Sequence, residues 1–202
     1  QGSQGRIMFY IGNKSPSADL QGFKMVMPAV DGLRHQLQPV PDNVGAKRQV
    51  QLMMQVAITK AFIEPPTLQI AYTLPGVGTL SQTLELPLRV SKFLTPLTIT
   101  SPQEFIAKWH QMASASQQQK IMDVSQQYAS GGIERVAVAL GGMRLGVQKG
   151  LDPNPANLVG GSKFVGELCG EVLVGVRVES DANVRGRYRF TVASMDGNAS
   201  AA

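Results

Sequence analysis

The sequence predicts an α+β fold in which an antiparallel β-sandwich precedes a second half with helices first and an antiparallel sheet after them. Residues 1–92 contain short segments rich in Val, Ile, Leu, Met and Tyr, separated by Gly, Pro, Asn and Asp. Such segments are typical of an antiparallel sandwich. A helix start follows at residues 101–104, and short apolar segments return from residue 144. Helices followed by a run of strands indicate α+β architecture rather than alternating α/β units.

Five strands are predicted in the first half, and each ends at residues that restrict φ or allow a positive φ. They cover residues 6–11, 23–27, 49–59, 68–73 and 80–90. The breaks between them are Gly, Pro, Asn and Asp positions such as Gly12, Pro28 and Gly76. The change in character after residue 92 makes residues 92–96 the predicted junction between the halves.

The helix start consists of Ser101, Pro102 and Glu104. A Ser side chain caps a helix, Pro suits its first position, and a Glu three residues on reaches back to a free backbone N–H. The helix is expected to run to about residue 114. Its apolar residues form one stripe at helical spacing, namely Phe105, Ile106, Trp109 and Met112.

The rest of the second half is predicted as helix and then sheet. A second helix is expected through Ile121, Val124 and Tyr128. Residues 133–140, bracketed by pairs of glycines, form a short separate element that is helical in its first turns. Strands are then predicted at residues 144–149, 158–166, 171–179 and 187–193.

Composition narrows the class of protein. With 43% hydrophobic and 16% charged residues the chain can bury a core, which excludes disorder. The net charge of +5 has one dense basic stretch, at residues 185–189, so a nucleic-acid partner is not expected. The single cysteine, Cys169, indicates a reducing compartment and is expected to be a buried small hydrophobe. No apolar run approaches the ~18 residues of a membrane span, so direct membrane insertion is not expected.

The sequence lacks the parts of an enzyme. It contains two histidines, His35 and His110, and no nucleophile elbow, phosphate-binding loop or His/Cys metal spacing. We therefore expect no catalytic activity, no cofactor and no metal.

Four segments, in order, resemble the appendage, or ear, of alpha adaptin, a large subunit of a clathrin adaptor. They are GRIMFYIGNK at 5–14, LPLRVSKFLTP at 86–96, QEFIAKWHQM at 103–112 and LDPNPANLVGG at 151–161. The last two are specific, because a helix with Phe-x-x-x-Trp followed later by Asp-Pro-Asn-Pro is not a generic pattern. The resemblance covers nearly the whole chain.

The resemblance implies an antiparallel β-sandwich subdomain followed by an α/β platform subdomain, here residues 1–92 (the sandwich half) and 93–202 (the platform half). In the family, the platform binds Asp-Pro-Phe, Asp-Pro-Trp and Phe-x-Asp-x-Phe motifs, and the side of the sandwich binds a Trp-x-x-Phe type motif. The implied partners are endocytic accessory proteins. The implied location is the cytoplasmic face of the plasma membrane, in clathrin-coated pits, with other adaptor subunits reached through a trunk outside this sequence.

The sequence also departs from the family. It is expected to lack the opening sandwich segment and to leave no room for a closing helix after Gly197. Because it does not begin with Met, we expect a fragment of a longer protein. The ear of another adaptor or coat subunit, such as beta adaptin or a coatomer subunit, shares the two-part plan and stays an alternative, although the Asp152–Pro155 turn favours alpha adaptin.

Trp109 is the one tryptophan, and from its helical stripe alone core packing is favoured over function. The resemblance instead places Trp109 in the wall of a platform peptide pocket, with Phe105 and Ile106 beside it. Ile106 stands where relatives carry a second Phe, which predicts a shallower pocket.

Charged residues follow the strands near the end of the chain. Period-two alternation puts Arg187 and Arg189 on one strand face, opposite Tyr188 and Phe190. The alternative to a binding role is an ordinary solvated face.

The preceding strand carries Arg177 and Glu179 on a shared face. The resemblance places Arg177, Glu179 and Arg189 at platform positions, where a guanidinium can meet the Asp of a motif in a bidentate way. A further family Arg falls at Ala193, so one charge contact is missing.

On the sandwich half, Phe9, Gly12, Lys14 and Gln49 resemble the family's side site. An inserted Ile11 blurs the register there. Phe9 in the core and Gly12 in an ordinary turn are the competing interpretations, and the Asp152–Pro155 turn is expected to be architectural.

Overall fold

The computed structural model describes residues 2–124 and 130–201. In these ranges the strands are β1 (Gln4–Gly12), β2 (Gln21–Val26), β3 (Leu33–Leu37), β4 (Gln49–Ile58), β5 (Thr67–Leu74), β6 (Gly78–Glu85), β7 (Thr95–Pro96), β8 (Ser116–Asp123), β9 (Gly146–Gln148), β10 (Leu158–Gly166), β11 (Gly170–Ser180) and β12 (Arg187–Ser194). The helices are α1 (Pro102–Ala115), α2 (Gly132–Gly142) and α3 (Gly197–Ala201), with a 3₁₀ turn at Val90–Phe93. The predicted α+β class is confirmed.

Two three-stranded antiparallel sheets form the sandwich half, in the orders β1-β4-β3 and β2-β5-β6. Strand β1 shows how the sequence dictates this arrangement. Its residues Ile7, Phe9 and Ile11 pack against the core, whereas Met8 and Tyr10 are exposed. Alternate side chains of a strand point to opposite faces, so a period of two in the sequence yields one buried and one solvated face.

Four of the five predicted sandwich strands, those at 6–11, 23–27, 49–59 and 68–73, lie within two residues of β1, β2, β4 and β5. The prediction of a strand through residue 90 is wrong, because β6 ends at Glu85 and the chain turns at Val90–Phe93. Pro87 lies in this stretch and cannot donate a ladder hydrogen bond. Strand β3 was not predicted, since its sequence LRHQL is apolar only at its two ends.

The platform half contains a six-stranded antiparallel sheet in the order β7-β10-β11-β12-β8, with β9 also paired to β10. The registers place odd-numbered residues of β10, β11 and β12 on one face and even-numbered residues on the other. Helix α1 lies on the odd face, where Met112 and Trp109 contact Gly175. Helix α2 lies on the even face and shares a core cluster with Leu158, Val176, Val178 and Tyr188.

The start of α1 follows its sequence signal. The Ser101 hydroxyl accepts the N–H of Glu104 at 3.1 Å, and the Glu104 carboxylate accepts the N–H and the hydroxyl of Thr100 at 2.8 and 2.7 Å. The Ser101 cap satisfies one N–H group that a helix leaves free, and Glu104 reaches back to the residue before the cap. The helical element expected at residues 133–140 is present as α2.

The second helix predicted through Ile121, Val124 and Tyr128 is wrong over its first part. Residues Ser116–Asp123 form strand β8, which pairs with β12 along its whole length. The edge of β12 gives this segment its backbone hydrogen bonds, and local helix preference is weaker than that tertiary pairing. Tyr128 lies outside the described residues.

One hydrophobic cluster joins the two halves. It contains sandwich residues such as Met54 and Leu68 together with Phe93, Phe164 and Val174 of the platform half. The predicted boundary between residues 92 and 93 falls inside the 3₁₀ turn, and as a boundary between subdomains it stays a prediction.

The turn between β10 and β11, residues 166–170, reaches back to the sandwich. The N–H of Leu168 donates to the carbonyl of Thr59 at 2.9 Å, and Glu167 forms an ion pair with Arg34. Gly166 approaches the Thr59 carbonyl so closely that a side chain at this position would collide with it. Cys169 is half-buried in this turn, so the expectation of a buried cysteine is wrong.

The expectation that no closing helix could follow Gly197 is also wrong. Helix α3 packs on β8 and β12, and the hydroxyls of Ser200 and Ser116 are 2.8 Å apart. Its first turn is capped by Asp196, which accepts the N–H of Asn198 at 2.8 Å. Across residues 2–124 and 130–201, no helix combines the length and the apolar character needed to cross a membrane.

Candidate functional site

Helix α1 presents an aromatic pair on the odd face of the platform sheet. Phe105 is 5% exposed and belongs to a core cluster with Ile99, Leu151 and Val159. Trp109 is half-buried at the edge of this cluster, and its ring centroid lies 5.6 Å from that of Phe105. The structure therefore brings the two predicted aromatic residues together, with Phe105 inside and Trp109 at the surface.

Ile106 lies one turn of α1 before Trp109 and is 45% exposed. Residues three apart are neighbours on a helix surface, so exposed Ile106 and half-buried Trp109 form one apolar strip. The contact between Trp109 and Gly175 determines where this strip meets the sheet. A Cβ at Gly175 would lie 3.3 Å from the indole atom Cε3, so the absence of a side chain there lets the ring lie against β11.

Four charged side chains of alternating sign lie beside this strip. Two of them, Arg177 and Glu179, follow Gly175 on the same face of β11. The Nε of Arg177 lies 2.7 Å from Oδ2 of Asp152, and its Nη1 lies 3.3 Å from Oε1 of Glu179. Arg189, which is directly opposite Glu179 in the ladder of β11 and β12, completes the row at 3.7 Å from Glu179. We call Asp152, Arg177, Glu179 and Arg189 the charge row.

Asp152 anchors the charge row. Its side chain is 4% exposed, and its Oδ1 accepts the backbone N–H of Asn154 at 2.9 Å and the side-chain amide of Asn157 at 3.1 Å. Burial on its own would raise the pKa of Asp152, but these hydrogen bonds and the Arg177 guanidinium hold it below its ordinary value. In turn, Asp152 raises the pKa of Arg177. The turn expected to be architectural therefore also holds a charged side chain of the candidate site.

The aromatic strip and the charge row lie side by side. Gly175, against which Trp109 packs, precedes Arg177 on the same face of β11, and Val159 of the Trp109 cluster is the register partner of Arg177 on β10. We define the platform surface as Ile106, Trp109, Arg177, Glu179 and Arg189. It joins an apolar strip to paired and partly exposed charges.

A cavity of about 310 Å³ borders the far end of the charge row, where Glu179 and Arg189 line it. Its other lining residues are Ile121, Ser180, Asp181, Ala182 and Arg187. Trp109 does not line this cavity. Any ligand that contacted both would have to extend along the row.

Arg187 and Arg189 project on the odd face of β12 as predicted, while Tyr188 and Phe190 pack in the α2 cluster. Arg187 forms an ion pair with Asp123 of β8, in which its Nε and Nη2 donate to the two carboxylate oxygens at 2.8 and 3.3 Å. The hydrogen bond and charge of Arg187 lower the pKa of Asp123. At the position of the further family arginine, Ala193 is fully buried, so no charge is offered there.

The sequence prediction missed Ile121, which is 60% exposed beside Arg189. The reason is the incorrect helix prediction for this segment. Once Ser116–Asp123 is known to be a strand, period-two alternation places Ile121 on the face of the charge row.

The sandwich half carries the other candidate site at one end of β1 and β4. Gly12 and Gln49 are direct register partners, and both are exposed, as is Lys14. Asn13, between Gly12 and Lys14, is buried. It holds the chain after β1 in place, since its side-chain amide donates to the carbonyls of Ala18 and Val44 at 2.8 and 2.9 Å. The structure thus brings Gly12, Lys14 and Gln49 to one end of the sheet.

Phe9 does not join them. It packs toward the sandwich core, on the face opposite Gly12 and Gln49, whereas Tyr10 is 63% exposed on their own face. Tyr10 was missed in the sequence, although its even number, shared with Gly12, places both on one face of a strand. We define the side surface as Tyr10, Gly12, Lys14 and Gln49.

Each half carries an aromatic residue beside polar or charged groups, half-buried Trp109 on the platform surface and exposed Tyr10 on the side surface, and such surfaces are typical of an interaction module. Aromatic side chains and arginine are the residues that most often provide binding energy in protein interfaces. The chain belongs to the family described as Alpha adaptin AP2, C-terminal domain, whose pattern matches residues 92–202.

Curated relatives support this membership. The chain is 31% identical over 196 residues to AP-2 complex subunit alpha-2 of Arabidopsis thaliana. The matched region covers 97% of this chain and 19% of the relative. AP-2 complex subunit alpha-1 of the same plant gives the same figures. AP-2 complex subunit alpha-2 of Dictyostelium discoideum is 32% identical over 197 residues, with 96% and 19% covered. The chain thus spans about a fifth of the length of these relatives.

Proposed function

We propose that this chain is the appendage of a clathrin adaptor and that its platform surface docks short linear motifs of endocytic accessory proteins. The motifs are of the Asp-Pro-Phe, Asp-Pro-Trp and Phe-x-Asp-x-Phe types. The family membership supports the adaptor role. The proposed location is the cytoplasmic face of the plasma membrane, in clathrin-coated pits, with the rest of the adaptor reached through regions outside this chain.

The observation that carries the proposal is the position of half-buried Trp109 beside a charge row that ends in an exposed arginine. An Asp-Pro-Phe motif needs an apolar wall for its ring and a cation for its carboxylate. Trp109 and Ile106 provide the wall, and Arg189, whose side chain is 51% exposed, provides the cation. Small interfaces obtain most of their free energy from such an anchor.

We expect the platform surface to hold a ligand at shallow positions. Ile106 is a smaller wall than an aromatic ring, and Trp109 does not line the cavity beside Arg189. Such an arrangement suits an extended peptide that contacts several positions along the charge row. It gives weak binding from any one motif.

We propose that the side surface docks a Trp-x-x-Phe type motif, with Tyr10 in the role first expected for Phe9. Tyr10 offers an exposed ring, and the polar groups of Gln49 and Lys14 lie at the end of the same sheet. Tyrosine combines a large apolar area with a hydroxyl that can hydrogen-bond, which suits a small interface.

We infer that the chain acts without catalysis and without a cofactor, and that the two halves are subdomains divided near residue 92. Neither candidate surface contains a nucleophile paired with a base, which covalent catalysis requires. Nucleic acid is not a proposed partner, since Arg177, Arg187 and Arg189 all lie close to carboxylates.

The platform proposal is tested by calorimetric titration with a peptide that carries Asp-Pro-Phe and a matched peptide that carries Asp-Pro-Ala. We expect saturable binding of the first, and binding at least roughly tenfold weaker for the second. NMR chemical shifts should change most at the Trp109 indole N–H. Equal binding of both peptides, or no binding, would reject the proposal.

A pull-down from cell extract tests the choice of partners. The chain should retain endocytic accessory proteins, and the matched Trp109→Ala variant should retain fewer of those that depend on the platform surface. Recovery of Golgi or coatomer partners instead would favour the ear of another coat.

A further inference from the structure

The charge row runs from the protein interior to solvent. The side chain of Asp152 is 4% exposed at one end, and that of Arg189 is 51% exposed at the other. The two inner members, Arg177 and Glu179, are each partly covered. The two positive and two negative charges of the row sum to zero. Its members nevertheless differ in how completely neighbouring charges compensate each one.

Arg177 is the more completely compensated arginine. It contacts two carboxylates, at 2.7 Å through Nε and at 3.3 Å through Nη1. Arg189 contacts Glu179 at 3.7 Å, a carboxylate that it shares with Arg177. A second anion near Arg177 would therefore meet the repulsion of Asp152 and Glu179, while an anion near Arg189 meets less.

Asp152 is held firmly enough to orient its neighbour. Both of its oxygens are engaged, Oδ2 by Arg177 and Oδ1 by Asn154 and Asn157. Pro153 and Pro155 restrict the backbone of the same turn. A carboxylate fixed in this way determines the direction of the guanidinium fork, because Nε is the donor closest to the side-chain stem.

We propose that Asp152 is a positioning residue that orients Arg177 and cancels its charge, so that Arg177 donates to neutral carbonyls of a bound peptide while Arg189 meets its carboxylate. The inference rests on the proposed docking of acidic linear motifs at the platform surface. It assigns different tasks to two arginines that sequence pattern treats as equivalent. It also gives a role to a buried Asp that borders the partly exposed platform surface.

The test uses a pair of peptides that differ only in Asp-Pro-Phe against Asn-Pro-Phe, titrated against the whole chain. For the unmodified protein, we expect the Asp peptide to bind roughly two- to fivefold more tightly, the range of one exposed charge pair. We call the affinity for the Asp peptide divided by that for the Asn peptide the peptide ratio. Arg189→Gln should bring the peptide ratio to about one. Arg177→Gln should weaken the binding of both peptides equally and leave the peptide ratio unchanged.

The decisive variant is Asp152→Asn, which keeps an Oδ1 acceptor for the turn and removes the charge next to Arg177. The ratio between Asp and Asn peptides should then rise roughly twofold or more, because Arg177 becomes available to the ligand carboxylate. The control is Glu171→Gln, which removes a carboxylate from the exposed pair with Lys163 on the same sheet, outside the charge row. Its ratio should equal that of the unmodified protein.

A readout that needs no peptide tests the orientation of Arg177 by Asp152 separately from the proposed function. The Nε–H resonance of Arg177 in a ¹H–¹⁵N spectrum should be sharp and slow to exchange, and it should broaden or shift in Asp152→Asn but not in Glu171→Gln. An unchanged resonance in Asp152→Asn, or loss of the peptide ratio in Arg177→Gln, would overturn the inference. If neither peptide binds the unmodified protein while the resonance behaves as described, the proposed function fails and the orientation by Asp152 stands.

Discussion

The platform surface and the side surface place an aromatic ring next to polar groups in different ways. On the platform surface the charges are paired in a row before any ligand arrives, and the row is anchored by a buried carboxylate. On the side surface, Lys14 makes no ion pair with any of the described residues, and its neighbours Gln49 and Tyr10 are uncharged. Ion pairs hold the charged side chains of the platform surface, whereas none holds a side chain of the side surface within the described ranges.

Under the proposed docking of linear motifs, this difference predicts which features of a ligand each surface would select. Ordered donors lose little conformational freedom on binding, so they favour ligands with the matching geometry. Groups that are not held by ion pairs accept a wider range of sequences, and specificity then depends more on the aromatic contact. We therefore expect charge changes in a ligand to matter at the platform surface and ring changes to matter at both.

The largest expected effect separates Phe105 from Trp109. Phe105→Ala should lower the free energy of unfolding by ~3–5 kcal/mol, because the ring is buried in the α1 cluster. Trp109→Ala should cost less stability, since the ring is half-buried, yet lower the affinity for Asp-Pro-Phe by ~2 kcal/mol or more. Thermal unfolding and calorimetric titration of the same preparations measure both. A Trp109→Ala variant that binds the peptide normally would remove this residue from the platform surface.

The next effect tests the side surface through adjacent aromatic residues. Tyr10→Ala should weaken a Trp-x-x-Phe peptide by ~2 kcal/mol with little change in stability, because the ring is 63% exposed. Phe9→Ala should instead lower stability and leave the affinity of the folded protein nearly unchanged. Asp-Pro-Phe binding serves as the control and should persist in Tyr10→Ala. The reverse pattern would restore Phe9 to the site.

A third prediction concerns pH and the buried end of the charge row. At pH 7, Asp152→Asn should destabilise the fold by ~1–3 kcal/mol, the cost of weakening a buried hydrogen-bonded charge. The folded-state pKa of Asp152 lies below its ordinary value of 3.8, so its contribution is complete above that value and is lost as the pH falls through the folded-state pKa. Denaturant unfolding from pH 7 to pH 2 should show the two proteins converging at the acid end. A constant difference would mean that the carboxylate charge contributes nothing.

The smallest expected effect is electrostatic. Arg189→Ala should weaken Asp-Pro-Phe binding by ~0.2–1 kcal/mol, and added salt should reduce that difference, since exposed charge pairs are screened. The Trp-x-x-Phe peptide at the side surface should respond much less to salt. Titration at two ionic strengths tests both statements, and an unchanged affinity in Arg189→Ala would exclude that residue.

The parts of the fold that the sequence predicts correctly are those determined by neighbouring residues. Alternation in β1 and the Ser101 cap of α1 are local signals, and both elements form where they indicate. Strand β8 is different, because Ser116–Asp123 becomes a strand by pairing with β12, which lies far along the chain. No local pattern contains that partner.

The candidate site also has features that a local sequence pattern predicts and features that depend on residues far apart in the chain. Alternation was sufficient to place Arg177 with Glu179, and to separate Arg189 from its aromatic neighbours. The contact between Asp152 and Arg177 joins a turn to a strand and needed the structure. Tyr10 could have been found by counting residues from Gly12 along one strand, but the uncertain register at Ile11 obscured it.

The turn between β10 and β11 and the hydrophobic cluster that joins the two halves both connect the platform sheet to the sandwich. In the turn, the Leu168 N–H bond to Thr59 and the Glu167 pair with Arg34 fasten the platform sheet to the sandwich. A partner with two motifs joined by a flexible segment would then face a fixed span. Its gain in avidity would be greatest when the average length of that segment equals the span and would decline for shorter or longer segments. These connections between the halves would then favour partners whose motifs have the matching spacing.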